Sequence, residues 1–203
     1  MRLRYIGLVL GVVLAFSAMV SAEELAIGAA GPSFSLLGTD GKTYSLADYQ
    51  GKKGVAVIFT CNACPYAKAF EDRLVKLANK YQLKGVAFVA ISSNDPGRNP
   101  EDSYDNMAKR AKDKNFSFPY LYDSTSEVGL AYGARVTPHV FLLDSNFKLV
   151  YRGRIEDDTD AKKSKSFDFK NAMNALLAGK EISVKETKAF GCGIKWRKQA
   201  STD

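Results

Sequence analysis

Val55-Ala56-Val57-Ile58-Phe59-Thr60-Cys61-Asn62-Ala63-Cys64-Pro65-Tyr66 is the stretch on which the reading of this chain rests. Five apolar residues, Val55 to Phe59, run straight into a Cys-x-x-Cys pair. Ala67, Phe70, Leu74, Leu77 and Tyr81 then recur at steps of three and four, the period of an amphipathic helix. The two thiols are therefore expected where a buried strand ends and a helix begins. The first turn of a helix presents unpaired backbone N–H groups and the positive end of the macrodipole. Both favour a thiolate, so the pKa of Cys61 is expected to fall below its free value. The spacing of three brings Cys61 and Cys64 to one side of that turn, within reach of a disulfide. A thiolate that attacks, with a second thiol that resolves the mixed disulfide, is the minimum for dithiol–disulfide exchange.

Two other uses of the pair compete with this one. A Cys-x-x-Cys is also half of many zinc sites. The chain offers only Cys192 and His139 for a second half, and neither stands at a usual second-pair spacing. No metal is therefore expected. A structural disulfide is the other alternative.

The 203 residues are 46% apolar and 25% charged, ordinary for one globular domain with a full core. Three cysteines are too few for a disulfide scaffold, so those present need a local reason. Residues 1–22 have the form of a signal peptide. Arg2 and Arg4 make a positive start, Tyr5 to Val20 is apolar, and Val20-Ser21-Ala22 is a small-residue cleavage pattern. The expected localisation is periplasmic or secreted, with no stable membrane association after cleavage. An uncleaved membrane anchor is the alternative. Residues 23–30 are read as a linker and residues 180–203 as a mostly polar tail. The formal charge is +7, with basic residues scattered along the chain. A nucleic-acid binder needs a basic stripe interleaved with aromatics in a known module, and the sequence has none.

Along the rest of the chain, Phe34 to Leu37 and Thr43 to Leu46 flank a Gly-rich turn and predict a hairpin. Val86 to Ile91 is a continuous apolar run, as in a parallel strand covered on both faces. Strand, helix and strand form a βαβ unit with the cysteines at the C-terminal edge, where open α/β sheets place their chemistry. A helix follows from Pro100, with Glu101 and Asp102 in an acidic first turn. Phe118 to Tyr122 is a strand, and Asp123 or Ser124 is expected to cap a brief helix that stops at Gly133. Val140 to Leu143 and Phe147 to Arg152 form a second hairpin. Phe169, Met173, Leu176 and Leu177 mark the last helix.

This order, with Thr137-Pro138 before the second hairpin, resembles the thioredoxin fold over roughly residues 31–179. The first hairpin and the extra helix and strand after Ile91 make it similar to the redoxin branch, which holds the TlpA-like thiol reductases and the AhpC/TSA peroxidase relatives. The resemblance implies an α/β protein with a central mixed sheet flanked by helices. It implies that Cys61 attacks and Cys64 resolves, that Pro138 is a cis-proline, and that the backbone of Thr137 binds an extended substrate. The partners would be protein thiols and disulfides with an external electron donor or acceptor, and no cofactor is needed. Two other functions stay open: a thiol-dependent peroxidase, and a non-enzymatic binding module with a structural disulfide. The peroxiredoxin pattern Pro-x-x-x-Thr-x-x-Cys fails when counted back from either cysteine. Thioredoxins carry a buried acid six residues before the first cysteine, and this chain has Val55 there, so the acceptor of the Cys64 proton is unassigned. Lys68 and Glu71 are read as solvated helix positions, and His139 as packed at a strand start. Cys192, between two glycines, is either a candidate third thiol or a free surface cysteine, while Trp196 is expected to anchor the tail.

Overall fold

Strand β3 (Gly54–Phe59) is buried at every position, which explains why its sequence does not alternate. The computed structural model describes residues 24–198. The expected signal peptide, its cleavage pattern and Glu23 lie outside the described residues. The elements are β1 (Ser35–Gly38), β2 (Thr43–Ser45), β3, α1 (Pro65–Gln82), β4 (Val86–Ser92), α2 (Tyr104–Asp113), β5 (Tyr120–Tyr122), α3 (Glu127–Tyr132), β6 (Val136–Thr137), β7 (His139–Asp144), β8 (Leu149–Gly153), α4 (Asp168–Leu177) and β9 (Cys192–Gly193). Seven strands form one mixed sheet in the order β2-β1-β5-β4-β3-β7-β8. β3 runs parallel to β4 and antiparallel to β7.

Successive side chains of β3 enter different cores. Ala56 and Ile58 pack with Phe70, Leu74 and Tyr81 of α1 and with Phe169 and Met173 of α4. Val55, Val57 and Phe59 pack on the other face with Tyr132 of α3 and Phe141 of β7. Each fully buried large side chain contributes about 1.5–3 kcal/mol through removal from water. Burial of this kind, on both faces, holds the end of β3 and the start of α1 in a fixed relation.

Two local features differ from the expectation. Helix α3 begins at Glu127, with Ser126 as its N-cap in the left-handed region at φ 64°. Ser126 makes no side-chain cap bond, and the capping side chain is Asp123, three residues earlier: its buried carboxylate accepts from the amide of Gly129 in the first turn at 2.9 Å and from Ser93 Oγ at 2.7 Å. The second difference is the tail. Residues 180–198 lie on the domain, with Ile182 and Ile194 buried. The Arg152 amide donates to the Lys185 carbonyl at 3.0 Å, and the Thr187 amide to the Arg152 carbonyl at 3.1 Å, so the tail covers the edge of β8. It then adds β9 antiparallel to β6, pairing Thr137 with Cys192 and Val136 with Gly193.

Candidate active site

The C-terminal end of β3 delivers Cys61, and Cys64 is the N-cap of α1, with Pro65 at the first helical position. Proline suits that place because its missing N–H would be unpaired there in any case. The Thr137–Pro138 bond, just before β7, is cis. Cys61 Sγ lies 3.2 Å from Thr137 Oγ1. Cys64, as a thiol, donates to the Thr137 carbonyl at 3.0 Å. Cys61, Cys64, Thr137 and Pro138 are thus brought together. Cys192 joins them, packed against Cys61, Cys64 and Ala67. All three cysteines are free thiols.

Neither member of the pair is open to solvent: Cys61 is 3% exposed and Cys64 2%. Thr137 bonds to both sulfurs, and Cys192, its partner in the β6–β9 ladder, packs against them, so that ladder lies across the pair. Cys192 is the cysteine with more solvent access, being half-buried.

The loop between the cysteines is held by Asp102, which is fully buried. Its Oδ1 accepts from the Asn62 amide at 2.7 Å and from the Ala63 amide at 3.1 Å. Its Oδ2 accepts from Asn94 Nδ2 at 2.8 Å. Asn62 donates from Nδ2 to the Glu101 carbonyl at 2.9 Å. Asn94 Oδ1 in turn accepts from the Lys195 amide of the tail at 2.8 Å. One buried carboxylate therefore ties the cysteine loop to the tail through Asn94. The sequence reading placed Asp102 in the acidic first turn of a helix. That turn is present, as a short 3-10 turn (Pro100–Asp102) before α2, and what the sequence does not show is that Asp102 points inward from it.

This arrangement moves the expected thiolate. Cys61 is pushed up, first by its hydrogen bond to Cys64, then by burial and by the Asp102 carboxylate. Cys64 is pulled down to about 4, chiefly by the hydrogen bond from Cys61, with burial opposing and Cys192 and the Ala67 amide adding to the pull. Cys192 rises to about 11 through burial and its contact with Cys64. The amides of Asn62 and Ala63, which would favour charge on Cys61, are taken by a carboxylate that repels it. The start of α1 is left to serve Cys64.

Other expectations resolve around the site. Glu71 is not solvated. It is 4% exposed and receives two hydrogen bonds from Arg110, both at 2.6 Å. An Arg fork on a buried carboxylate is a structural pairing that periodicity does not reveal. Lys68 reaches Glu101 at 3.0 Å across partly exposed surface. His139 is buried at the start of β7, its ring 4.4 Å from that of Phe141, and burial lowers it to about 3. It is a packed neutral imidazole, as read. Trp196 packs against the core cluster around Tyr132, and a Cβ on Gly129 would collide with its ring. Among the described residues no three His, Cys, Asp or Glu side chains are grouped to hold a metal ion.

Known proteins share this framework. A thiol-disulfide oxidoreductase ResA of Geobacillus thermodenitrificans is 31% identical over 128 residues, which span 62% of this chain and 67% of that protein. Among solved structures, an uncharacterized conserved protein of Geobacillus kaustophilus is 40% identical, with a TM-score of 0.82 over 87% of this chain and 95% of its own. The thioredoxin domain of a thiol-disulfide oxidoreductase of Bacteroides vulgatus is 26% identical, with a TM-score of 0.54 over 64% of this chain and 89% of its own. The fold is thioredoxin-like, and the named relative supports a thiol redox function. The Redoxin profile matches residues 26–176, and with the strand–cysteine–helix order and the mixed sheet already described, this chain belongs to the Redoxin family.

Proposed function

We propose that this protein is an extracytoplasmic thiol–disulfide oxidoreductase whose reacting groups are Cys61 and Cys64. The observation that carries the reading is the placement of both sulfurs beside Thr137, at the strand end and helix start, with a thiolate favoured inside the cluster. The Cys64 thiolate accepts the Cys61 S–H, so moving one proton along that contact puts the charge on Cys61. Cys61 then attacks a substrate disulfide, forming a mixed disulfide and releasing one substrate thiolate. Attack by Cys64 on Cys61 releases the second and leaves the Cys61–Cys64 disulfide, which an external thiol donor reduces. No cofactor takes part. Export is supported by Arg2, Arg4, the apolar run and Val20-Ser21-Ala22.

The test is turnover of a protein disulfide such as insulin with a dithiol donor. Cys61→Ser is expected to abolish it, and Cys64→Ser to stall it at a mixed disulfide that non-reducing electrophoresis detects. Undiminished turnover in Cys61→Ser would overturn the assignment. A second reading, a thiol-dependent peroxidase, is favoured by the burial of the pair, since a small hydroperoxide enters a closed site more readily than a folded protein. Rapid hydroperoxide consumption together with no turnover of insulin would select it.

A further inference from the structure

The tail occupies the place that an extended substrate would take. β9 pairs with Thr137 and Val136 on the edge beside Pro138, with Cys192 opposite Thr137. That seat is built on both sides of the cysteine. Before it, Phe190 packs against the rings of Tyr66 and Phe70 at 6.1 Å centroid separation. After it, the Ile194 amide donates to the Arg135 carbonyl at 3.0 Å, and the Asp95 amide donates to the Lys195 carbonyl at 2.7 Å. Gly191 is required by close approach, because a Cβ there would overlap the Thr137 carbonyl. The result is a sulfur held against Cys64 by long-range pairing, on the half-buried side of a pair that is itself closed to solvent.

We infer that Cys192 is a third exchanging thiol, which takes the disulfide from Cys61–Cys64 by attacking Cys64, with β9 as the tethered strand that presents it. This rests on the proposed redox role of the pair. In the step, the Cys192 sulfur forms a bond to Cys64 Sγ, the Cys61–Cys64 bond breaks, and Cys61 leaves as the thiolate. The proton lost by Cys192 goes to Cys61. No electrons enter or leave, so no oxidant is consumed. The effect is to move the disulfide from two buried sulfurs to one that includes the more accessible sulfur, where an external thiol donor can attack. Holding the strand in place gives Cys192 an effective concentration far above that of a free thiol.

Diamide oxidation, rapid alkylation and non-reducing peptide mapping test this. Cys61→Ser retains only Cys64 and Cys192. It is expected to close to an intramolecular Cys64–Cys192 disulfide at a rate independent of protein concentration. That closure should outrun dimer formation by about 100-fold or more at micromolar protein. The oxidised parent is expected to contain both Cys61–Cys64 and Cys64–Cys192 linkages. Free thiols or only dimers in Cys61→Ser, with Cys61–Cys64 as the sole linkage in the parent, would overturn the relay and leave the pair intact. Failure of Cys192→Ser to form Cys61–Cys64 would instead overturn the role of the pair.

Discussion

The cysteine loop and the tail strand meet at Thr137 from opposite sides, and they are held there by different means. The loop is short and local. It joins a strand buried on both faces to an 18-residue helix, and a fully buried carboxylate clamps its amides. The tail reaches the same point from more than 100 residues further along the chain, through a two-residue strand and long-range contacts on either side of it. The loop amides bond to a fully buried carboxylate, whereas the strand that carries Cys192 is only half-buried, so the tail strand is expected to open at lower cost than the loop.

The largest expected effect tests the rigid half. Asp102→Ala leaves the Asn62 and Ala63 amides and the Asn94 side chain without their acceptor in a dry site. The expected loss is about 3–5 kcal/mol in denaturant unfolding. A loss below ~1 kcal/mol would mean that the loop does not depend on the clamp.

A second measurement reads the body beneath the pair through pH. His139 is the single histidine, and burial holds its folded pKa at about 3, below the unfolded value of 6.5. Between these values the unfolded chain binds a proton that the folded chain does not. Stability is therefore full above pH 6.5 and falls by about 1.4 kcal/mol per pH unit as pH drops toward 3. His139→Phe should remove that part of the slope. An unchanged slope would show that the imidazole is not held neutral.

The smallest effect tests the tail. Gly191→Ala places a Cβ on the Thr137 carbonyl and should unseat β9 at a cost of about 1–3 kcal/mol, confined to the tail. Alkylation of Cys61, Cys64 and Cys192 in the reduced protein should then accelerate together, with little change in the global transition. Unchanged alkylation rates would show that the tail does not limit access.

The same contrast separates what could be read beforehand from what could not. The apolar run Val55 to Phe59, the Cys-x-x-Cys and the 3.6-residue spacing of Ala67, Phe70 and Leu74 are local patterns, and each reports an element that burial then confirms. The local signal at Asp102 was incomplete. An acid next to Pro100 reads as a helix start, and nothing nearby in the chain indicates that it turns inward to meet amides 40 residues earlier. Glu71 misled, since its partner Arg110 lies on another helix.

Strand periodicity, the strand-to-helix junction and the closeness of two thiols three residues apart follow from neighbours in the chain. They were therefore settled by the order of the amino acids. Which thiol carries charge, whether either meets solvent, and what pairs with Thr137 depend on groups far apart in sequence: Asp102, the start of α1 and the strand around Cys192. Burial and hydrogen bonding at a point act on whatever the fold brings there, and only the packed chain brings residues 61, 102, 137 and 192 to one place.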